Sequence, residues 1–378
     1  MLARPGEKDM IHFGITRDEI PIYSVDAAYM ADPKTGYIRI SRFAESTGEE
    51  FAEAFNKLKK KGMTQLILDL SDNGGGYLNT AVELANTFLR AGETIVYTEG
   101  NRSPRYDAVA NGKGGYKDGK LVVLVNQYSA SASEILAGAV QDWDRGVVVG
   151  RRTFGKGLVQ RPFTFEDGSM MRLTTARYYT PSGRCIQKPY KMGEKADYAK
   201  DVYNRYKDGE LQHADSIHVA DSLKYTTLKN ERIIYGGGGI IPDVFVPIDT
   251  TEYSDYYGKL NTKGVFIQYT LGYIDKNRDS LKAKYKDVNE FDAGFKVSDE
   301  MIQDLISQGE KAGVKYNEEQ YKISKNVIDY ILKSLVARDV FDQEAFTIIY
   351  NKRNDLLKEG LRVINDDKLY NSLLKSTE

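Results

Sequence analysis

The stretch Leu121–Leu136, LVVLVNQYSASASEIL, passes from five apolar residues through three serines into a helical pattern. A short, continuous apolar run of this kind is typical of a strand that is buried on both faces. The residues from Glu134 to Val140 then predict a helix. A polar turn between a buried strand and a helix lies where parallel sheets bind their ligands. The stretch therefore raises the question of whether Ser129, Ser131 or Ser133 reacts.

Strands alternate with helices over the first 150 residues, and this alternation predicts βαβ units and a largely parallel sheet. Two turns of small residues, Asn73–Gly76 and Ser129–Ser133, each follow a strand, and we expect them on one rim of the sheet. The segment from Thr47 to Glu50 matches a capping box that opens a helix. The predicted strands of this part are Gly36–Ile40, Gln65–Leu70, Leu121–Val125 and Val147–Val149.

Composition changes along the rest of the chain. Residues 161–182 have a β-like pattern, residues 185–232 form a polar insertion, and Val244–Val246 predicts another strand. From about residue 250 glycine falls, Tyr, Lys, Asp and Glu rise, and helical patterns follow. We therefore predict one domain over 14–249 and a separate, mostly helical region over 250–378, with residues 1–13 ahead of them.

Composition and charge exclude several function classes. The 378 residues carry a formal net charge of -1, whereas a general nucleic-acid binder needs a basic field. No apolar run approaches the 18 or so residues of a membrane-spanning helix. One cysteine, Cys185, and three scattered histidines give no metal-site pattern. We expect no cofactor and no metal.

A serine at a strand-to-helix turn suits nucleophilic catalysis. Unpaired N–H groups and the helix dipole favour negative charge there, as an oxyanion intermediate requires. Serine needs a base, and no histidine lies near it in sequence, so the alternative base is a lysine kept neutral by burial. On local sequence alone, a plain helix cap explains the serines equally well.

The run Leu124–Gln160 resembles the signature of the C-terminal processing (tail-specific) protease family of Ser/Lys-dyad peptidases. The resemblance extends to Leu66–Leu78, Asp167–Gln187 and Gly236–Asp243, and so covers most of residues 14–247. It implies an α/β, crotonase-like (ClpP/crotonase-type) core of layered sheets and helices. The helical region after residue 250 resembles the tail of some longer members.

The resemblance assigns roles residue by residue. The middle serine of S-A-S-A-S, Ser131, matches the nucleophile, and the lysine of F-G-K-G, Lys156, matches the general base. Gln160 matches the glutamine that positions the lysine, and Asp142 matches a supporting aspartate. The backbone N–H groups of Gly75 and Ala132 match the oxyanion hole.

The implied function is a serine endopeptidase that cleaves protein or peptide substrates with apolar C-terminal tails through an acyl-enzyme. It implies a periplasmic or cell-envelope location. The chain shows no signal segment, and both a true start at Met1 and an N-terminally trimmed chain stay open. Homo-oligomers through the helical region are conceivable on this interpretation.

Two departures from the family pattern stand out. Ser71 occupies a position where many members have arginine, and residues 1–13 are expected to be only a remnant of the PDZ domain that usually precedes the core.

Three alternatives stay open at this point. The chain could be a catalytically silent or latent peptide-binding protein that retains the fold. It could be an acyl-CoA enzyme of the crotonase type, which would not need a Ser/Lys pair. It could also use a histidine-based triad with His213 or His218.

Overall fold

A six-stranded sheet carries the predicted alternation of strands and helices in the computed structural model, which describes residues 8–12, 14, 16–18, 22–190 and 195–376. The strand order is β1-β2-β3-β6-β7-β12; β1 and β2 are antiparallel, and every later pair is parallel. Five predicted strands belong to this sheet, including Val244–Val246, and all are confirmed to within one residue. Its strands are β1 Val25–Met30, β2 Thr35–Ile40, β3 Gln65–Asp69, β6 Leu121–Val125, β7 Val147–Gly150 and β12 Val244–Phe245.

Two smaller sheets lie beside it. A four-stranded antiparallel sheet has the order β5-β4-β9-β8, and β10 pairs with β11. The β-like pattern of residues 161–182 is confirmed as β9 and the end of β8. The strands are β4 Thr94–Gly100, β5 Ser103–Val109, β8 Leu158–Thr164, β9 Met170–Tyr179, β10 Lys224–Thr226 and β11 Ile233–Tyr235.

The helices fall into two groups. Four belong to the first 250 residues: α1 Thr47–Lys60, α2 Leu78–Asn86, α3 Ala132–Asp142 and α4 Lys195–Lys207. Eight follow residue 250, as predicted: α5 Asp255–Thr262, α6 Val265–Lys284, α7 Val288–Gly294, α8 Asp299–Lys311, α9 Glu318–Val340, α10 Gln343–Tyr350, α11 Asp355–Asn365 and α12 Asp367–Leu373.

The predicted capping box at the start of α1 is wrong. The helix already includes Thr47, and its N-cap residue is Ser46. The carboxylate of Glu50 does not bond back to the N-cap amide but accepts the amide hydrogens of Ser24 and Val25 at 2.7 and 2.9 Å. The carboxylate of Glu50, which the local pattern assigned to the helix cap, therefore binds a distant segment of the chain instead.

The central sheet is buried on both faces, because successive residues of its strands point to opposite sides. Leu66, Leu68 and Val123 pack with α1, α2 and α3 on one face. Ile67 and Leu124 point the other way, into a second cluster that includes residues of α11 and α12. The apolar run that opened the sequence is therefore continuous because each face has its own cover.

The helices from α5 to α10 enclose a third apolar cluster of their own. The helical region thus has two parts, since α11 and α12 leave this cluster and return to the central sheet. None of the helices described is both long enough and apolar enough to cross a membrane.

Candidate active site

Ser131 lies at the turn between β6 and α3, where it is the N-cap residue of the helix. Its backbone has φ 57° and ψ −113°, a conformation that residues with a side chain rarely adopt. Residues with such strained backbones cluster at functional sites. The side chain is half-buried. The turn thus presents one serine at a helix N-terminus, where backbone N–H groups favour negative charge.

The two outer serines hold the turn in place. The hydroxyl of Ser129 donates to the carbonyl of Leu70 at 2.7 Å, and that of Ser133 donates to the carbonyl of Asn73 at 2.9 Å. Both residues are fully buried. Their hydrogen bonds join the serine turn to the segment after β3, which confirms that both turns lie on one rim of the sheet.

Gly75 packs directly against the serine turn. It has φ 100°, and a Cβ there would lie 2.7 Å from the Cβ of Ser131 and 3.0 Å from the nitrogen of Ala132. Only glycine combines this φ with so close an approach. The structure therefore brings Gly75, Ala132 and Ser131 together, as the sequence predicts.

The two predicted oxyanion donors differ in whether their amide hydrogen already makes a hydrogen bond. The N–H of Ala132 makes no hydrogen bond with any described residue. The N–H of Gly75 donates to the side-chain oxygen of Asn73 at 2.9 Å. Asn73 is fully buried and also donates to the carbonyl of Ile40 at 2.8 Å. One donor is therefore open, and Asn73 occupies the other.

Glu134 joins the serine turn to the lysine loop. Its fully buried carboxylate accepts the amide hydrogens of Ser131 and Lys156, both at 2.8 Å and on the same oxygen. The other oxygen accepts from the amide of Gly155 at 2.7 Å and from the hydroxyl of Thr153 at 2.6 Å. The nitrogens of Ser131 and Lys156 thus lie no farther apart than twice 2.8 Å.

The sequence interpretation missed Glu134, although Ser131 and Glu134 have the S-x-x-E spacing of a capping box. Desolvation by burial raises the pKa of Glu134, and its four hydrogen bonds act against that rise. Four donors on one carboxylate make it the main fixed link between the predicted nucleophile and the predicted base.

Lys156 is half-buried and forms no ion pair with any described residue. The loop that carries it is bonded to the serine turn a second time, through the amide of Phe154 and the carbonyl of Ser129 at 2.9 Å. Gly155, with φ 84°, lets the loop pass close to Lys188, Gly238 and Gly239. The predicted lysine is thus held beside the serine by its backbone.

Gln160 and Asp142 lie away from this cluster. Gln160 is exposed on β8, at an irregularity in the pairing with β9, and no hydrogen bond joins it to Lys156 in the described residues. Asp142 ends α3, and eleven helical steps place it about 16 Å from Ser131. It is buried in an ion pair with Arg184 at 2.6 Å and accepts the amide of Ser182 at 2.8 Å. Asp142 thus anchors a neighbouring loop.

A second lysine near the site was not predicted. Lys188 is buried, and its ammonium lies 3.9 Å from the ring centre of Phe154 and 4.1 Å from that of Tyr198. Asp201 pairs with it at 3.0 Å. Burial lowers the pKa of Lys188, and Asp201 opposes that shift. Lys188 lies in the predicted polar insertion, which here contributes α4 and buried contacts to the site's surroundings.

Arg39 places a guanidinium beside Ser71, the position where many family members are expected to carry an arginine. From β2 it reaches Asp69 on β3 at 3.0 Å and the carbonyl of Ser71 at 3.3 Å. Asp69 is fully buried and also accepts from Tyr37 at 2.5 Å. Arg39 and Asp69 are direct partners in the register, and such opposite charges stabilise neighbouring strands. A guanidinium thus stands beside this turn, but from another strand.

The remaining candidates do not join the cluster. His213 and His218 are exposed, and neither bonds to Ser131 in the described part of the chain. Across the same residues, no group of three or more His, Cys, Asp and Glu side chains is placed to hold a metal ion. The geometry therefore brings the backbones of Ser131, Lys156, Gly75 and Ala132 together and adds Glu134 and Asn73 to them. No hydrogen bond joins the side chains of Ser131 and Lys156 among the described residues.

The site thus combines a serine on a strained strand-to-helix turn with a lysine loop and a glycine turn. Residues 34–199 match the model of peptidase family S41. Residues 256–342 match a family of unknown function, DUF8443. The resemblance to C-terminal processing proteases is thereby confirmed.

Named relatives agree with the family match. The chain is 43% identical over 177 residues to the carboxyl-terminal-processing protease of Picosynechococcus, and 43% identical over 180 residues to that of Synechocystis. It is 38% identical over 221 residues to a probable CtpA-like serine protease of Staphylococcus aureus. These matches cover 46%, 47% and 58% of this chain and 42% of each relative. The chain thus spans less than half the length of these relatives.

Among solved structures, the photosystem II D1 C-terminal processing protease matches with 37% identity and a TM-score of 0.40. The match covers 46% of this chain and 47% of that one.

Proposed function

We propose that this protein is a serine endopeptidase that cleaves protein substrates near their C-termini through a Ser131–Lys156 dyad. One observation carries the proposal: the carboxylate of Glu134 binds the amides of both residues on one oxygen. A nucleophile and its base have to lie within reach of each other, and this contact holds their backbones side by side. The names of the relatives support the reaction class.

The proposed mechanism is acyl transfer. Neutral Lys156 takes the hydroxyl proton of Ser131, whose oxygen attacks the peptide carbonyl. The open N–H of Ala132 receives the oxyanion that forms. Lys156 returns the proton to the leaving amine as the C–N bond breaks, then activates the water that hydrolyses the ester.

The second oxyanion donor requires a local change. Because Asn73 occupies the N–H of Gly75, a substrate oxyanion has to displace the Asn73 oxygen before that donor can act. The same observation favours the second candidate function, a silent or latent peptide-binding protein. Turnover distinguishes the two, since a latent site binds peptides without cleaving them.

The direct test is cleavage of an unfolded protein with an apolar tail, followed by mass spectrometry of the products. Ser131→Ala and Lys156→Ala should each lower the rate by about four to six orders of magnitude, the range seen when one member of a serine peptidase's catalytic group is removed. Lys60→Ala, an exposed lysine of α1, is the matched control. Full activity in Lys156→Ala would remove the dyad.

Lys188 provides the sharpest check on the base. It is a buried lysine on a segment that packs against Gly155, so it is a physical competitor for the role. Lys188→Ala should destabilise the protein yet leave cleavage per folded molecule within a few-fold of wild type. If Lys188→Ala abolishes cleavage and Lys156→Ala does not, the base is Lys188.

The remaining assignments are part of the same proposal. Gln160 would position Lys156 once substrate pairs along β8, and Asp142 would support the site by anchoring the loop at Arg184. The core would have the crotonase-like architecture. Apolar C-terminal residues would be preferred, and a peptide series varying the last residue would measure that preference.

Domain division, location and assembly are also proposed. The catalytic domain would span 14–249 with the insertion at 185–232, and the helical region 250–378; the family matches at 34–199 and 256–342 support this division. Residues 1–13 would be a PDZ remnant or linker, and of these 1–7 and 13 lie outside the described residues. A periplasmic or cell-envelope location and homo-oligomers through the helical region would be tested by fractionation and light scattering.

A further inference from the structure

A cavity of about 590 Å³ opens at the carboxyl edge of the central sheet, on the side where the helical region meets it. Its sheet wall includes Ser71, Asp72 and Arg151, which follow β3 and β7. Its opposite wall comes from α9, the end of α10 and the first turn of α11. The volume falls within the range of small-molecule sites. Ser131, Lys156 and Glu134 do not line it.

Arg151 is the unusual group in this cavity. The residue is only 8% exposed. Its Nε donates to the side-chain oxygen of Gln127 at 2.8 Å, and its Nη1 donates to the carbonyl of Val246 at 3.1 Å. Its Nη2 makes no hydrogen bond, and no carboxylate lies within 4.0 Å, among the described residues. A buried guanidinium without a counter-charge is costly and calls for an anion.

Every other charge of the lining has its own partner. The remaining cations are Arg39 with Asp69, Arg353 with Glu252 and Lys358 with Asp355. Of the carboxylates, Asp72 accepts from Asn126 at 2.8 Å, and Asp249 accepts from the amide and hydroxyl of Thr251. Arg151 is therefore the one cation of the described lining that has no direct ion-pair partner, although Asp72 and Asp355 are carboxylates of the same lining.

Two further features of the walls suit an anion. The hydroxyl of Ser71, a residue that is 3% exposed, is buried without a hydrogen-bond partner in the described structure. The N-terminus of α11, an eleven-residue helix, lines the cavity, and its dipole favours negative charge there, with the amide of Leu356 already capped by the side chain of Asn354 at 3.1 Å. A buried polar group without a partner is rare enough to require an explanation.

The rest of the lining is apolar or aromatic, and it includes Tyr257, Val327, Ile331 and Leu356. Planar guanidinium groups match the two oxygens of a carboxylate, and an apolar wall suits a hydrocarbon body. We propose that this cavity is a binding site for a carboxylate carried on an apolar body, with Arg151 as its anchor. The carboxylate belongs either to the C-terminus of a peptide or to a small free acid.

The binding test uses the full chain with Ser131→Ala, so that no cleavage is needed and its result is independent of the proposed proteolysis. The probe is a fluorescein-labelled pentapeptide that ends in leucine with a free carboxylate, and its anisotropy reports binding. The same peptide with a C-terminal amide should bind about ten- to a hundredfold more weakly, the factor for one hydrogen bond to a charged group. Competition by N-acetylleucinate distinguishes the sources: equal affinity assigns the small acid, and a much weaker competitor assigns the peptide terminus.

Arg151→Gln should weaken binding by the same factor, and Arg151→Lys should restore part of it. Arg105→Gln removes an equal charge from the exposed strand β5 and should leave binding unchanged. Val327→Trp fills the cavity from α9 without touching Arg151, so it tests the site even if Arg151→Gln fails to fold. Equal binding of acid and amide, or unchanged binding in Arg151→Gln or in Val327→Trp, would overturn the proposal.

Discussion

Replacing Glu134 with glutamine isolates the contact that holds the candidate nucleophile beside the candidate base. The carboxylate accepts four hydrogen bonds, from Ser131, Lys156, Gly155 and Thr153. Glutamine keeps one oxygen of the two and turns an N–H2 group toward two of the donors. Two buried donors therefore lose their acceptor and face a donor instead.

Each buried donor left unpaired costs about 1–3 kcal/mol, so the two together cost about 2–6 kcal/mol. The variant no longer buries a charge, and that relief offsets part of the loss. We expect a net fall of about 2–4 kcal/mol in the free energy of unfolding, measured by urea titration. The two loops should also separate, and a displacement of about 1 Å at a reacting group lowers the rate about a hundredfold.

Glu50 supplies a matched control. Its carboxylate also accepts four hydrogen bonds, from the amides of Ser24 and Val25 and the hydroxyls of Ser24 and Ser46, but at the start of α1. Glu50→Gln should lose stability while keeping cleavage per folded molecule. If Glu134→Gln cleaves at the wild-type rate once corrected for its folded fraction, the carboxylate does not position the dyad.

Three further predictions concern the same rim. Gly75→Ala should abolish cleavage and destabilise the fold. Gly62→Ala, at φ 92° with no atom within 4 Å of the added methyl, should cost only about 1 kcal/mol of backbone strain. If the two substitutions have equal effects on urea unfolding and on cleavage, the close packing at Gly75 is contradicted. Arg39→Ala should lower the free energy of unfolding by about 2–4 kcal/mol, less than for a fully buried pair, and exposed Arg42→Ala by no more than about 0.5 kcal/mol; similar values would show that the contact to Asp69 is weak. As pH falls through the raised pKa of Glu134, the native state takes up a proton before the unfolded chain does. The wild-type protein should therefore gain stability relative to Glu134→Gln, while its rate of cleavage falls. A loss of both stability and cleavage as pH falls would refute the raised pKa of Glu134.

The sheet and the two rim turns could be predicted from local sequence because each depends on a short pattern. The run from Leu121 to Val125 alternates between two buried faces, and small residues mark the turns after β3 and β6. What covers those faces could not be predicted, since α11 and α12 are separated from β3 by about three hundred residues of chain. Their contact is a tertiary one with no local signal.

The candidate site, too, could be predicted from the sequence only in part. Ser131, Lys156, Gly75 and Ala132 were assigned through a family pattern, and the structure gathers them. Glu134 carried a readable S-x-x-E spacing, but its bonds to the lysine loop depend on the fold. The hydrogen bond that the Gly75 amide donates to Asn73 depends on the positive φ of Gly75, which the residue types alone do not reveal.

The return of α11 and α12 to the central sheet has a consequence for how this protein is made. Ribosomes release a chain from its N-terminus onward, and domains usually fold in that order. Here one hydrophobic side of β3 and β6 stays bare until Leu357, Val363 and Tyr370 have been synthesised. The turn that carries Ser131 follows one of those strands, so in the nascent polypeptide it would lack its complete scaffold until the last helices have been made.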